Sequence, residues 1–176
     1  MSTQDPVVIV GMARTPMGGL LGELAGLSAN ELGAHVIKAA LSEAGLSGED
    51  VQEVIMGNCL PGGQGQAPAR QAAIKGEVGK HAESTTINKM CGSSMKAIML
   101  AANSIRAKES KIVVVGGMES MSRSPFTVAR AEDGKVSMEK PVDSMMNDGL
   151  VDPFNGMVMA QTGNRIAEQF GITREE

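Results

Sequence analysis

Between residues 7 and 117 the chain alternates short β-branched runs with stretches of helical period, and few folds accommodate that alternation. Val7-Val8-Ile9-Val10 is uninterrupted and reads as a fully buried strand. Ser28 and Glu31 then make a Ser-x-x-Glu capping box. Behind it Leu32, Val36 and Ala40, with Ile37 and Leu41, recur at helical spacing, and Gly45 stands where a helix stops. Val51 to Met56 reads as a second strand, Pro68 opens a short helix to Ile74, and Ser84 to Ile87 is a third strand. From Cys91 the period turns helical again: Met95, Ile98, Met99, Ala102 and Ile105 share one stripe, with Ala97 and Ala101 opposite. Small residues on the remaining side predict a helix covered nearly all round. Ile112 to Val115 is a fourth strand, ended by Gly116-Gly117. The order predicts a layered α/β domain with a largely parallel sheet and right-handed crossovers.

After Glu119 the character changes. Residues 120–156 carry Pro125, Pro141 and Pro153 and little periodicity, and Asp133-Gly134 lies between two short extended runs as a hairpin turn signal. Such a hairpin is either an assembly arm or an ordinary surface loop. Helical period returns from Val158 to Phe170, with Gly171 as its stop. Thr173 and Glu176 form another Thr-x-x-Glu box, the opening of a further helix, so the 176 residues read as part of a longer protein.

Composition narrows the function. A net charge of -4 and a pI near 5.3 argue against a nucleic-acid footprint, which needs a basic face. Arg123, Arg130 and Lys135 form a small basic group that suits solvent, or an anionic ligand. No positively charged leader with an apolar core is present, and residues 7–10 are far too short to span a bilayer, so a cytoplasmic protein without a membrane anchor is expected. In that compartment Cys59 and Cys91 read as free thiols. Three Phe are the only aromatic residues beside 14 Met, which predicts a core filled by adaptable thioether chains.

The segment Ile87-Asn88-Lys89-Met90-Cys91-Gly92-Ser93-Ser94-Met95 carries the chemistry. A strand ends, a tight turn follows, and Cys91 sits at the mouth of a long helix, the cysteine counterpart of a nucleophile elbow. The positive end of a helix favours a thiolate, the form that attacks a thioester. Gly92 permits close approach of a substrate, and the N–H groups of Cys91 and Gly92 are placed to face a developing oxyanion. A free cysteine is also a common small core residue, and spacing alone leaves both readings open. Cys59, ahead of Leu60-Pro61-Gly62-Gly63, lacks a comparable setting and reads as structural.

Other motifs fail on their spacing. Gly62-Gly63-Gln64-Gly65 lacks the Lys-Ser/Thr ending of a phosphate loop, and Gly11 to Gly19 does not give the dinucleotide fingerprint. Two Cys and two His stand at no zinc-like spacing. His35, within the first helix, and His81, in a polar loop, are not evident bases for Cys91.

Asn88 to Ala97 resembles the acyl-enzyme cysteine signature of thiolases, and Ala13-Arg14-Thr15-Pro16-Met17-Gly18 their N-terminal motif. Gly65 to Ala72 and Gly116 to Ser122 are similar to two more, all in the family's order. The resemblance implies a thiolase-like layered α/β fold with a mostly parallel, mixed sheet, of which residues 1–119 are the N-terminal half and 120–176 the beginning of an inserted loop domain. It implies that Cys91 takes an acyl group from acyl-CoA, with Leu150 and Met159 at loop-domain positions lining the CoA and acyl site. A histidine and a second cysteine of the other half complete the family's catalysis, so these residues alone are expected to be inactive. CoA thioesters are substrates, no cofactor or metal is implied, and the family assembles as homodimers or dimers of dimers. The activity implied is condensation of two acetyl-CoA to acetoacetyl-CoA, and its reversal. The alternatives are a longer-chain 3-ketoacyl-CoA thiolase, which Val158 at a position often His keeps open, and a non-catalytic assembly module.

Overall fold

The computed structural model describes residues 6–137 and 139–175. The chain divides into two units, one running to Arg123 and the other starting at Ser124.

In the first unit β1 (Glu53–Gly57), β2 (Glu83–Ile87) and β3 (Val113–Gly117) form a parallel sheet in the order β2-β1-β3. Gly57 pairs with both Ile87 and Gly117, so the three strands finish level and open onto one edge. Successive side chains of a strand point to opposite faces. Val54 and Met56 enter the apolar core with Ala29, Ile37 and Leu41 of α1 (Ala29–Ala44) and Ala69, Ala72 and Ala73 of α2 (Pro68–Lys75). Gly57 turns the other way, against the first turn of α3 (Ser93–Arg106).

Local chemistry places these helices where the spacing predicts. The Ser28 N–H donates to Glu31 Oε2 at 2.8 Å and its hydroxyl at 2.6 Å, which satisfies the N-cap of α1. Those bonds hold the Glu31 carboxyl below its usual range. Gly45 ends the helix at φ 67°, and the Leu46 N–H reaches back to the Leu41 carbonyl at 3.0 Å. Pro68 opens α2, whose first turn asks for no N–H there.

Methionine does not fill the core, which among the described residues holds only Met56 and Met118 of the methionines, and two further expectations are corrected. Residues 7–10 belong to no described strand, and Val8, Ile9 and Val10 are 64%, 77% and 62% exposed. A β-branched run shows that a segment suits a sheet, but it becomes a strand only where its backbone pairs with an edge, and residues 7–10 pair with neither outer strand of the order β2-β1-β3. The second concerns α3. Its buried residues are Ser93, Ala97 and Ala101, whereas Met95, Ile98 and Met99 are exposed, so the helix is covered on one side rather than nearly all round. Small residues take the sheet side because they let the helix come close, and the long apolar chains are left outside.

The second unit begins with an antiparallel pair, β4 (Phe126–Thr127) with β5 (Val142–Asp143), and Arg130 bridges Val136 around the turn at Gly134. That turn occurs where Asp133-Gly134 signals it: Gly134 has φ 81° and donates to the Ala131 carbonyl at 2.9 Å. A π-helical turn follows at Met145–Leu150, then α4 (Met159–Phe170), ended by Gly171 at φ 66°. Ser144 is the one buried side chain among this unit's described residues, and it bonds the Pro125 carbonyl at 2.5 Å. The Thr173 capping box ends on Glu176, which lies outside the described residues.

Candidate active site

Level strand ends in a parallel sheet gather the residues that follow them, and open α/β sheets bind ligands at that edge. Here Cys59 follows β1, Cys91 follows β2 and Glu119 follows β3, and all three line one cleft of about 300 Å³.

Cys91 is exposed and stands just before Gly92, the N-cap of α3. Two glycines allow that helix end to settle on the sheet. A Cβ on Gly57 would come within 2.6 Å of Ser93 Cβ and 2.9 Å of the Ser94 nitrogen. One on Gly117 would fall 1.9 Å from Ser94 Oγ. The elbow itself is a short hydrogen-bonded knot. Met90, the residue before the nucleophile, sits at φ 47°, in the left-handed region that non-glycine residues seldom enter. Its N–H donates to Asn88 Oδ1 at 2.8 Å. The Ser93 hydroxyl donates to the Met90 carbonyl at 2.6 Å and accepts from the Lys89 N–H at 2.8 Å. Gly92's N–H donates to the Lys89 carbonyl at 3.1 Å and so closes the turn, rather than standing free for an oxyanion as the sequence suggests.

Cys59, read as structural, is bonded into the elbow: its thiol donates to the Met90 carbonyl at 3.0 Å and lies 3.5 Å from Ser93 Oγ. Burial, helped by the nearby Glu119 carboxylate, pushes this thiol above its usual pKa, against the opposing bond with Ser93. Glu119 in turn ties down the loop that carries it. Its carboxylate accepts from Asn58 Nδ2 at 2.7 Å, the Cys59 N–H at 2.7 Å and the Leu60 N–H at 3.2 Å. Asn58, fully buried, also donates to the Met118 carbonyl at 3.2 Å and accepts from Gln64 Nε2 at 3.2 Å. Asn58, Cys59 and Glu119 were not singled out as site residues from the sequence. The signal was topological: each lies one or two residues beyond the end of a strand in a parallel sheet.

Neither histidine lines this cleft. His35 is exposed on α1, and His81 precedes β2 at the opposite end of the sheet, with Nδ1 3.5 Å from Glu49 Oε2. A larger cleft of about 810 Å³ lies at that far end, between Gln52, Glu53, His81 and Ser104, and holds neither cysteine. Among the described residues no group of three or more His, Cys, Asp or Glu is placed to hold a metal, and no helix is long and apolar enough to cross a membrane. In the second unit Leu150 is half-buried at the end of the π-helical turn, and Met159 is the exposed first residue of α4. Val158 caps that helix, its N–H bonded to Gln161 Oε1 at 3.1 Å. Arg130 and Lys135 are engaged locally, with the Gly134 carbonyl at 3.0 Å and Asp133 at 2.8 Å.

The family model described as "Thiolase, N-terminal domain" matches residues 7–176. The chain belongs to the thiolase family. Among curated thiolase relatives, the acetyl-CoA acetyltransferase of Cupriavidus necator is 51% identical over 170 residues, covering 96% of this chain and 43% of that protein. Acetyl-CoA acetyltransferase 2 of Arabidopsis thaliana is 48% identical, over 97% of this chain and 42% of its own length. The crystal structure of the Acat5 thiolase from Ascaris suum in complex with coenzyme A superposes with a TM-score of 0.87 at 38% identity, covering 95% of this chain and 44% of that one. This thiolase chain thus spans less than half the length of the relatives it matches, and its layered α/β fold is theirs.

Proposed function

We propose that the protein is an acetyl-CoA C-acetyltransferase whose first step is acylation of Cys91. The observation that carries this reading is an exposed cysteine at the level strand ends, set just ahead of α3 by an elbow and admitted by two glycines. The Cys91 thiolate attacks the carbonyl carbon of acetyl-CoA, the thioester C–S bond breaks, and CoA leaves as the thiolate that takes up a proton. A base, in the family a second cysteine, takes a proton from the methyl of a second acetyl-CoA. The carbanion attacks the acetyl carbonyl on Cys91 and the C–S bond breaks. Acetoacetyl-CoA and the Cys91 thiolate result, and thiolysis is the reverse. With the Gly92 N–H bonded to the Lys89 carbonyl, we assign the oxyanion to the Cys91 amide, the other donor the sequence offers. The Ascaris suum neighbour, whose structure was determined with coenzyme A, supports the choice of CoA thioesters as substrates; on the family resemblance alone we assign Leu150 and Met159 to the CoA and acyl site. The reading needs no cofactor and places the protein in a homo-oligomer of the cytoplasm.

Incubation with acetyl-CoA followed by peptide mass spectrometry tests it. The protein expressed from its own reading frame adds one acetyl group on Cys91, and Cys91→Ala adds none. Acetyl on no cysteine, or on Cys59 alone, rejects the reading. The 176 residues by themselves are expected to show no turnover of acetoacetyl-CoA with CoA, because neither histidine lines the cleft. Val158, apolar at the cap of α4, favours a second reading with longer acyl chains. Comparing kcat/KM on C4 and C16 ketoacyl-CoA separates the two.

A further inference from the structure

The elbow's strained residue is held in a way the acylation step does not explain. Met90 keeps φ 47°, and such a conformation persists only when its surroundings over-determine it. Three donors converge on its carbonyl: the Ser93 N–H at 3.0 Å, the Ser93 hydroxyl at 2.6 Å and the Cys59 thiol at 3.0 Å. The first two come from the elbow's own helix. Only the third arrives from a different strand end, 31 residues away in sequence.

We infer that Cys59 is a positioning residue for Cys91, its thiol donating across the cleft to the Met90 carbonyl and so fixing the peptide that carries the nucleophile. The proposal rests on Cys91 being the reactive cysteine. Three features fit the role. The Cys59 backbone is clamped by the Glu119 carboxylate at 2.7 Å, so the donor is presented from a fixed loop. The Asn88 amide donates to the Cys59 carbonyl at 3.2 Å, a second tie between the same loop and the elbow. A thiol donates only while protonated, and burial beside Glu119 keeps this one protonated to higher pH than an ordinary cysteine. Glu119 thus acts twice, holding the loop and discouraging ionisation of the thiol.

The test is alkylation of Cys91 by iodoacetamide in the protein expressed from its own reading frame, followed residue by residue by peptide mass spectrometry across pH. Cys59→Ala removes the donor and slows Cys91 labelling about fivefold, the change expected for loss of one neutral hydrogen bond. Cys59→Ser retains a donor and restores the rate to within about twofold of the parent. Equal rates in all three proteins, or a Ser variant as slow as the Ala variant, overturn the proposal. A further measurement needs no loss-of-donor variant. The infrared difference spectrum between the parent and Cys59→Ser isolates the Cys59 S–H stretch, which lies below that of a free thiol if the bond to Met90 is made; an unshifted stretch refutes it. Iodoacetamide labelling does not involve CoA, so failure here leaves acetylation of Cys91 to be judged separately.

Discussion

Val54 and Met56 leave one side of β1 and Gly57 leaves the other, and the two sides meet different partners. On the first, α1 and α2 bury Val54 and Met56 to 0% and 1% exposure among Ile37, Leu41 and four alanines. On the second, α3 lies close because Ala97, Ala101 and Ser93 face the sheet, while Met95 and Met99 remain 69% and 55% exposed. One side is built for burial of apolar area. The other is built for proximity, and its small residues deliver a helix N-terminus to the strand ends, where the cysteines are. The strand thus sends Val54 and Met56 to the core on one face, while the other, which also buries Ile55, lets α3 approach the cysteines.

Damage to each face of β1 in turn separates the two roles. Met56→Ala opens a cavity in the buried face and lowers unfolding free energy by about 3 kcal/mol in denaturant melts. It leaves Cys91 labelling nearly unchanged in the molecules that remain folded. Gly57→Ala acts from the other face. Its new methyl meets α3 backbone at 2.9 Å, so the helix end must shift, at about 2 kcal/mol of stability. Cys91 alkylation then falls by more than the stability loss explains. Gly117→Ala meets chiefly the Ser94 hydroxyl, which can rotate away, and so has the smaller effect of the two glycine variants.

A finer contrast is electrostatic. Glu31 caps α1, on the buried side, with its carboxyl held below the usual glutamate value by Ser28. Its contribution is present above the ordinary glutamate pKa and is lost as pH falls through the lower folded-state value. Glu31→Gln should flatten that part of the acid stability profile, read by thermal melts from neutral pH downward. The smallest effect is expected at Met99. Truncation to Ala on the bare side of α3 changes stability by less than about 0.5 kcal/mol, as is usual for exposed positions. A loss as large as that of Met56→Ala would show that something covers this side of α3 in solution.

Much of this was legible in the chain. The capping box at Ser28, Pro68 and the stops at Gly45 and Gly171 are local chemistry, and each element appears within a few residues of its signal. The position of Cys91 between a strand and a helix was equally local. The bonds of Cys59 to the elbow were not legible because nothing near it in sequence marks them; its partners, Met90 and Glu119, lie 31 and 60 residues away. Residues 7–10 failed for a complementary reason, since an apolar run suits a sheet without specifying the edge it would pair with.

Apart from residues 7–10, the choice of helix or strand and the apolar side of each element follow from the amino-acid order, because backbone sterics and periods of two and 3.6 residues set them. Only the tertiary structure decided what each side meets. Parallel pairing with level ends brought Cys59, Cys91 and Glu119 to one cleft, and the absence of side chains at Gly57 and Gly117 let α3 descend onto it. Periodicity records a preference for burial but carries no address, and the addresses here were supplied by strand register.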